Sequence, residues 1–495
     1  MATITEILSA VKPESVTGLA SLEIESVACH PDGVKGPNCL FFCINEYLEY
    51  NKWQTWRSHL EALPELPLAG VVTPEKIEGL SVLQLITPHP RRALGDVARL
   101  MSGYPDLHLP VYGVTGTNGK TTTTRLLAHL LTETGMACGS IGTLGIELKN
   151  AFSDPGTYTT PLAPSLYDDL SRMRRSGAKA VAMEVSSHGL ALDRVEGIAF
   201  DGAILTNVER DHLDFHGTLE AYAEAKKKLF ARVRKSGLCV LNRNSPHWEE
   251  FASAASAKVI TYGGVGSEAD VELLTSELYP SSSRFVLRMD GKDYDFVTHL
   301  VGGFQIENAM AAITLLWGKG QAPEDIAEAL RTFPSVCGRM ERFSLPNGAT
   351  AIVDYAHNPD GLKCVLENSR DLCQGRLHVV FGCGGDRDKG KRPIMGELAS
   401  TLADVVWVTS DNPRTEDPAS IIADIRDGCD STAGGLHTEP DRRTAIVRAC
   451  EGAAPNDVIV VAGKGHEDYQ LLGFTKHPFS DQGVLMELGA TQSLS

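Results

Sequence analysis

"GVTGTNGKTTTT", residues Gly113 to Thr124, is the stretch from which the rest of the chain is read. An apolar strand leads into it at "LPVYGVTG" (109–116). "KTTTTRLLAHLLTETG" (120–135) then follows with helical periodicity and a stop at Gly135. Strand, glycine loop and helix in that order form a phosphate cradle. The glycines let backbone N–H groups face an anion, and the helix presents its positive N-terminus. Lys120 is placed to reach β/γ phosphates and the Thr121 hydroxyl to bind Mg²⁺. A standard Walker A loop has a glycine five residues before Gly119, and Val114 stands there. The loop is therefore a variant, which points away from ordinary phosphate-loop kinases and motors.

Outward from the loop the pattern is α/β. "AKAVAMEV" (178–185) and "FDGAILTNV" (200–208) are continuously apolar, as buried parallel strands are. "LEAYAEAKKKLFARV" (219–233) reads as a helix and "SGLCVLNRNS" (236–245) as another strand. A second rhythm begins near Val336. "ATAIVDYAHNPDGL", "GRLHVVFGCGGDRDKGKRP", "ADVVWVTSDNPRTEDP" and "NDVIVVAGKGHE" are four strands that each run into a polar loop. Ligands gather at the carboxyl ends of strands in open α/β sheets, so these loops are candidate site walls. The expected fold class is α/β in three domains. They are a smaller N-terminal α/β domain (1–108), a central parallel-sheet ATPase domain of phosphate-loop type (109–335) and a C-terminal Rossmann-like α/β domain (336–495).

Composition bounds the function. The chain has 495 residues and a formal net charge of −17, against the basic surface that broad nucleic-acid binding needs. "MATITEILSAVKPESV" lacks a basic n-region and a long apolar core, so no signal peptide is expected. No apolar run approaches the roughly 20 residues of a membrane span. Eleven cysteines without paired metal spacing read as reduced thiols of a cytoplasmic protein. Cys29, Cys39 and Cys43 beside His30 lack the second pair that a zinc site would need.

Several motifs occur in order along the chain: "MEVSSHGL" (183–190), "TNVERDHLDFHG" (206–217), "EAYAEAKKKLF" (220–230), "VCGRMERF" (336–343), "VDYAHNPDGL" (353–362), "FGCGGDRDKGKRP" (381–393), "SDNPRTEDP" (410–418) and "VAGKGHEDYQ" (461–470). Together with the loop variant they resemble the Mur ligase family, which joins an amine to a carboxylate with ATP as co-substrate. The motifs are most similar to those of members that add a diamino acid to UDP-N-acetylmuramoyl-L-alanyl-D-glutamate. Such an enzyme acts in cytoplasmic peptidoglycan precursor synthesis, and a monomer is expected.

The resemblance assigns residues. ATP falls to Gly116, Thr117, Asn118, Gly119, Lys120, Thr121, Thr122, Asn308, Arg339, Asp354 and His357, with Gln305 where the family commonly has asparagine. Mg²⁺ falls to Thr121, Glu184, His212 and Lys226, a set rich in oxygen. Lys120, His212 and Lys226 are the expected catalytic residues. Lys226 matches a lysine that reacts with CO₂ to become N6-carboxylysine. Helix geometry alone does not choose it over Lys227 and Lys228, which lie about 100° and 200° further round.

The muramoyl dipeptide is assigned to Thr159, Thr160, Ser186 and Arg194. Leu192 replaces a polar residue often used there, and the N-terminal segment is too divergent to name uridine contacts. The diamino acid is assigned to Arg387, Asp411, Asn412, Pro413, Arg414, Gly463 and Glu467. Meso-2,6-diaminopimelate differs from lysine by one distal carboxylate, which Arg414 can pair bidentately. Glu467 would face an ammonium. The expected reaction passes through an acyl phosphate on D-glutamate. Rival readings are lysine addition, folylpolyglutamate synthesis and, from another class, an ATP-binding switch protein without ligase activity.

Overall fold

The computed structural model describes residues 1–18, 23–48, 52–156, 158–279, 281–430 and 435–492. Its backbone is organised by three main sheets. The central one has eleven strands, and a parallel block forms its middle. There Val111–Thr115 lies between Ala180–Glu184 and Phe200–Leu205, parallel to both. Every residue of Val111–Thr115 is buried, the burial expected of a strand covered on both faces. Cys138–Gly142 and Ala180–Glu184 lie on one side of this strand and the later Phe200–Leu205 and Val233–Asn242 on the other, so the loop after Thr115 sits at a topological switch point.

The helix Lys120–Glu133 covers one face of that sheet with Leu126, Leu127, Leu130 and Leu131. It packs beside the helix Gly303–Gly318, which is buried almost all round. The stop at Gly135 is a reversal in which Gly135 takes φ +96° and the Met136 N–H donates to the Leu131 carbonyl at 2.7 Å. The far edge of the sheet is an antiparallel meander, Val271–Tyr279, Ser282–Met289 and Lys292–Thr298.

A five-stranded sheet from residues 15–86 precedes the central unit, with four of its strands parallel. A seven-stranded sheet follows it. In that sheet Thr350–Asp354, Val458–Ala462, Leu377–Phe381 and Val405–Val408 are neighbours and parallel, so their carboxyl ends share one edge. The four apolar runs of the second rhythm are these four strands. The α/β class and multi-sheet arrangement expected from sequence are those observed.

Candidate active site

The phosphate loop is shaped by close approach. Gly116 (φ +154°) and Gly119 (φ +84°) take conformations that favour glycine. A Cβ would strike Thr206 Oγ1 at the first and Asn308 Oδ1 at the second. Neighbouring strand ends brace the loop. Asn207 Oδ1 accepts from the Thr117 and Asn118 amides at 3.1 and 2.8 Å, and Asn118 Nδ2 donates to Glu209 Oε2 at 3.0 Å. The first helical bond runs from the Thr123 N–H to the Gly119 carbonyl, so the amides before it have no partner inside the helix. Lys120 Nζ folds over this mouth and donates to the Gly116 and Thr117 carbonyls at 2.9 and 2.8 Å. Burial holds its ammonium below the ordinary lysine range.

Glu184 ends its strand 1% exposed. Its carboxylate accepts from the Thr121 hydroxyl (3.1 Å), the Thr143 amide (2.8 Å) and the Thr143 hydroxyl (3.1 Å). Thr121 and Glu184 are thus brought together, whereas His212 bonds to neither. The His212 ring stands 4.7 Å from the His188 ring, and its Nε2 lies 3.6 Å from Asp211 Oδ2. Desolvation in the cleft, with the nearby charges of His357, Lys120 and Lys226 adding to it, lowers His212 to about 4 against the pull of Asp211. Among the described residues no group of three or more His, Cys, Asp or Glu is arranged to hold an ion. A hydroxyl and a carboxylate oxygen beside the phosphate cradle nevertheless suit Mg²⁺, which takes few protein ligands and completes its shell with phosphate oxygens.

The lysine triplet is resolved by burial. Lys226 is 1% exposed, Lys228 points to solvent, and Lys227 pairs with Glu224 and Glu250. Lys226 Nζ donates to the Gly116 carbonyl at 2.6 Å and lies 4.3 Å from the Tyr222 ring centroid. Burial, aided by the charge of Lys120, pushes it well below the ordinary lysine value, and Asp211 opposes them.

The C-terminal unit reaches this loop directly. Arg339 Nη2 donates to Thr121 Oγ1 at 2.9 Å. Asn358 Nδ2 donates at 3.3 Å to Asn118 Oδ1 and to Asp211 Oδ2. Arg339 leaves a tight turn in which Gly338 has φ +64° and Met340 φ +53°. Asp354 holds that turn, accepting from the Met340 amide (2.7 Å) and the Ala356 amide (2.8 Å). Both its oxygens serve the backbone, so its place is in orienting the turn. His357 sits with Nε2 4.0 Å from Asp211 Oδ2. Asn308 is turned to Gln305 and Thr123 beneath the loop, and Thr122 is buried in the helix start.

Arg339→Ala removes a charge-assisted bond worth about 1.5–3 kcal/mol. The KM for ATP is expected to rise roughly tenfold to a hundredfold while the melting temperature stays within a few degrees; initial rates at varied ATP measure it.

Across a cleft of about 1170 Å³ lie the remaining candidates. Thr159 Oγ1 is 3.0 Å from Thr143 Oγ1. Thr160 is fully buried, bonded to the Glu184 carbonyl (3.0 Å) and to Ser186 Oγ (3.1 Å), and Ser186 caps its helix through the Gly189 amide. Both hydroxyls therefore shape the wall of the cleft. Arg194 donates to the Thr160 carbonyl at 3.0 Å, with its Nε buried and unpartnered. Leu192 is buried.

On the opposite wall Arg414 takes φ +53° and donates through Nη1 to the Gly385 carbonyl at 2.8 Å, while its Nε is buried without a partner. The Asp386 carboxylate clasps Thr415 next to it. Arg387 lines the same cleft. Asp411 is buried. Burial would raise its carboxyl, yet Lys464, Arg442 and Arg414 together hold it below the usual range. The Pro413 carbonyl closes against Gly385, and Gly463 (φ +118°) leaves room for Asp411. Asn412 is spent internally: its Oδ1 accepts from Lys464 Nζ and the Leu471 amide, and its Nδ2 donates to Glu467 Oε2 at 2.8 Å. Glu467 does face an ammonium, but it is that of Lys464, at 3.0 Å. Sequence reasoning passed over Lys464, Thr143, Asn207, Asn358 and Asp211. The signals it had were the lysine inside Gly463-Lys-Gly465 and the polar residues packed into strand-end loops.

The chain matches the Mur ligase middle domain over residues 114–316 and the Mur ligase glutamate ligase domain over residues 338–465. It is 43% identical over 390 residues to the UDP-N-acetylmuramoyl-L-alanyl-D-glutamate--2,6-diaminopimelate ligase of Pseudomonas syringae pv. tomato, spanning 78% of this chain and 79% of that one. The chain belongs to the Mur ligase family. A second Mur ligase, named for the same reaction in Parasynechococcus marenigrum, is 40% identical over 439 residues, 86% of this chain and 87% of that one. A solved structure of a ligase with this name superposes with a TM-score of 0.65 at 31% identity, covering 94% of each chain. Among Mur ligases, then, the relatives and the cleft with cationic groups on both walls point to one reaction.

Proposed function

We infer that the protein is an ATP-dependent ligase that adds meso-2,6-diaminopimelate to UDP-N-acetylmuramoyl-L-alanyl-D-glutamate in peptidoglycan precursor synthesis, releasing ADP and phosphate. The observation that carries this reading is one cleft, lined by Thr143, Thr159, Ser186 and Arg194 on one wall and by Arg414, Arg387 and Glu467 on the other, with Glu184 linking Thr143 to Thr121 of the phosphate loop. Its nucleotide substrates support a cytoplasmic setting. No helix among the described residues is long and apolar enough to cross a membrane.

In the proposed sequence, a side-chain carboxylate oxygen of D-glutamate attacks the γ-phosphorus, and the bridging oxygen leaves with ADP. The amine of diaminopimelate then attacks the acyl carbon of the resulting acyl phosphate. The tetrahedral intermediate expels phosphate, and the nitrogen loses its proton to give the amide. Lys120 and the free amides of the helix start hold the phosphates, and Arg339 closes over them. Arg194 and Thr159 steady the muramoyl dipeptide. Arg414 and Arg387 take carboxylates of the diamino acid. Thr121, Glu184 and His212, with Lys226 as a carbamate, would hold Mg²⁺, which supplies neutralisation of charge on the transferring phosphoryl group.

The experiment is phosphate release with ATP, the UDP-dipeptide and either diamino acid. Release with diaminopimelate but not with lysine is the expected result. Equal release with both would remove the specificity assigned to Arg414. Release independent of any amino acid would favour the ATP-binding switch.

A further inference from the structure

Lys464 follows the strand Val458–Ala462 and enters the wall of the cleft from behind, with its side chain 0% exposed. Nζ donates to Asn412 Oδ1 and to Glu467 Oε2, each at 3.0 Å. Asn412 Nδ2 donates to the same Glu467 oxygen at 2.8 Å, which closes a triangle between two loops that Gln470 Nε2, donating to the Asp411 carbonyl at 2.7 Å, also ties together. The Tyr469 ring flanks the ammonium at 5.7 Å. A buried ammonium carries a desolvation cost of several kcal/mol. An apolar side chain in this turn would avoid that cost, so the lysine marks a place where its charge is used.

The triangle leaves an asymmetry. Glu467 Oε2 accepts two hydrogen bonds, and the side chain still lines the cleft at 15% exposure. The carboxylate is thus held from behind while its side chain reaches the cleft. The charged or titratable groups around this carboxylate are Lys464, Asp411, Arg442 and Tyr355. Burial raises the Glu467 carboxyl, Lys464 opposes that, and Asp411 adds to it.

We propose that Lys464 is a positioning residue for the amino-acid substrate: its ammonium fixes Glu467 as an oriented carboxylate and locks Asn412 against it, so that an incoming ammonium meets a preformed partner. This rests on the ligase reading above and extends it to a residue that touches no substrate itself.

The test is Lys464→Met, with Lys464→Gln as a second variant that keeps a donor to Asn412 but no charge, assayed by ADP formation at varied diaminopimelate and pH. The KM for diaminopimelate is expected to rise at least tenfold in both, while the KM for ATP stays within twofold. It should also depend more steeply on pH than in the wild type, falling as pH rises and Glu467 ionises. In a Glu467→Gln background, which strands no charge when Lys464 is replaced, the further loss from Lys464→Met should be under threefold. A diaminopimelate KM unchanged in Lys464→Met, or an equal loss in the Glu467→Gln background without the steeper pH dependence, overturns the inference alone. Absence of diaminopimelate-dependent turnover by the wild-type protein overturns the ligase reading and this inference with it.

Discussion

Lys226→Ala is expected to lower the ligation rate about 10³-fold, the scale of removing a charged transition-state contact, while the protein still folds and binds ATP. The buried nitrogen has one acceptor, the Gly116 carbonyl, and stands where Lys120 repels a second positive charge. Burial and the charge of Lys120 lower its pKa from the ordinary lysine value, which favours the neutral amine that can add CO₂. Lys226→Arg should be no better, because a guanidinium keeps its proton. Formate or acetate should restore part of the rate to Lys226→Ala and none to Lys226→Arg. Single-turnover rates with and without the acid measure this, and a Lys226→Ala rate within tenfold of wild type would remove Lys226 from the chemistry.

Arg414→Ala is the other large effect. The guanidinium is half-buried, with a nitrogen left unpartnered, in a loop whose backbone is held at φ +53°. A substrate carboxylate facing that wall would lose a desolvated charge partner, a loss of about 2–5 kcal/mol. Diaminopimelate kcat/KM should therefore fall by about 30- to 5,000-fold, with ATP affinity retained. Lysine should gain relative to diaminopimelate, since it asks nothing of that position. Competition between the two amino acids measures the ratio. Parallel losses for ATP and diaminopimelate would contradict the assigned role.

The phosphate loop and the parallel strands were legible because contiguous apolar runs, such as Val111–Thr115 and Val458–Ala462, can be buried only between two covering layers. The meander at 271–298 was not read, although Phe285, Leu287 and Met289 alternate inward. The α/β rhythm on either side masks a period of two. Choosing among three consecutive lysines needed the helix's actual orientation, which a run of like residues does not encode. Asn412 and Thr160 were read from motifs as ligand contacts, and in the fold their hydrogen bonds also tie loop to loop. Lys464 was missed for the converse reason, since a lysine between two glycines reads as solvated until the loops close over it.

The turn that carries Arg339 has a consequence for how the molecule can be divided. A cut between residues 337 and 338 would leave each large sheet with its own interior, yet it would strip the nucleotide cradle of the one guanidinium that touches Thr121 among the described residues. Two well-behaved fragments would result, and neither would ligate. Mixing them should restore turnover only as far as Asn118 finds Asn358 again. A compound wedged into that narrow seam would silence the protein without resembling any of its substrates.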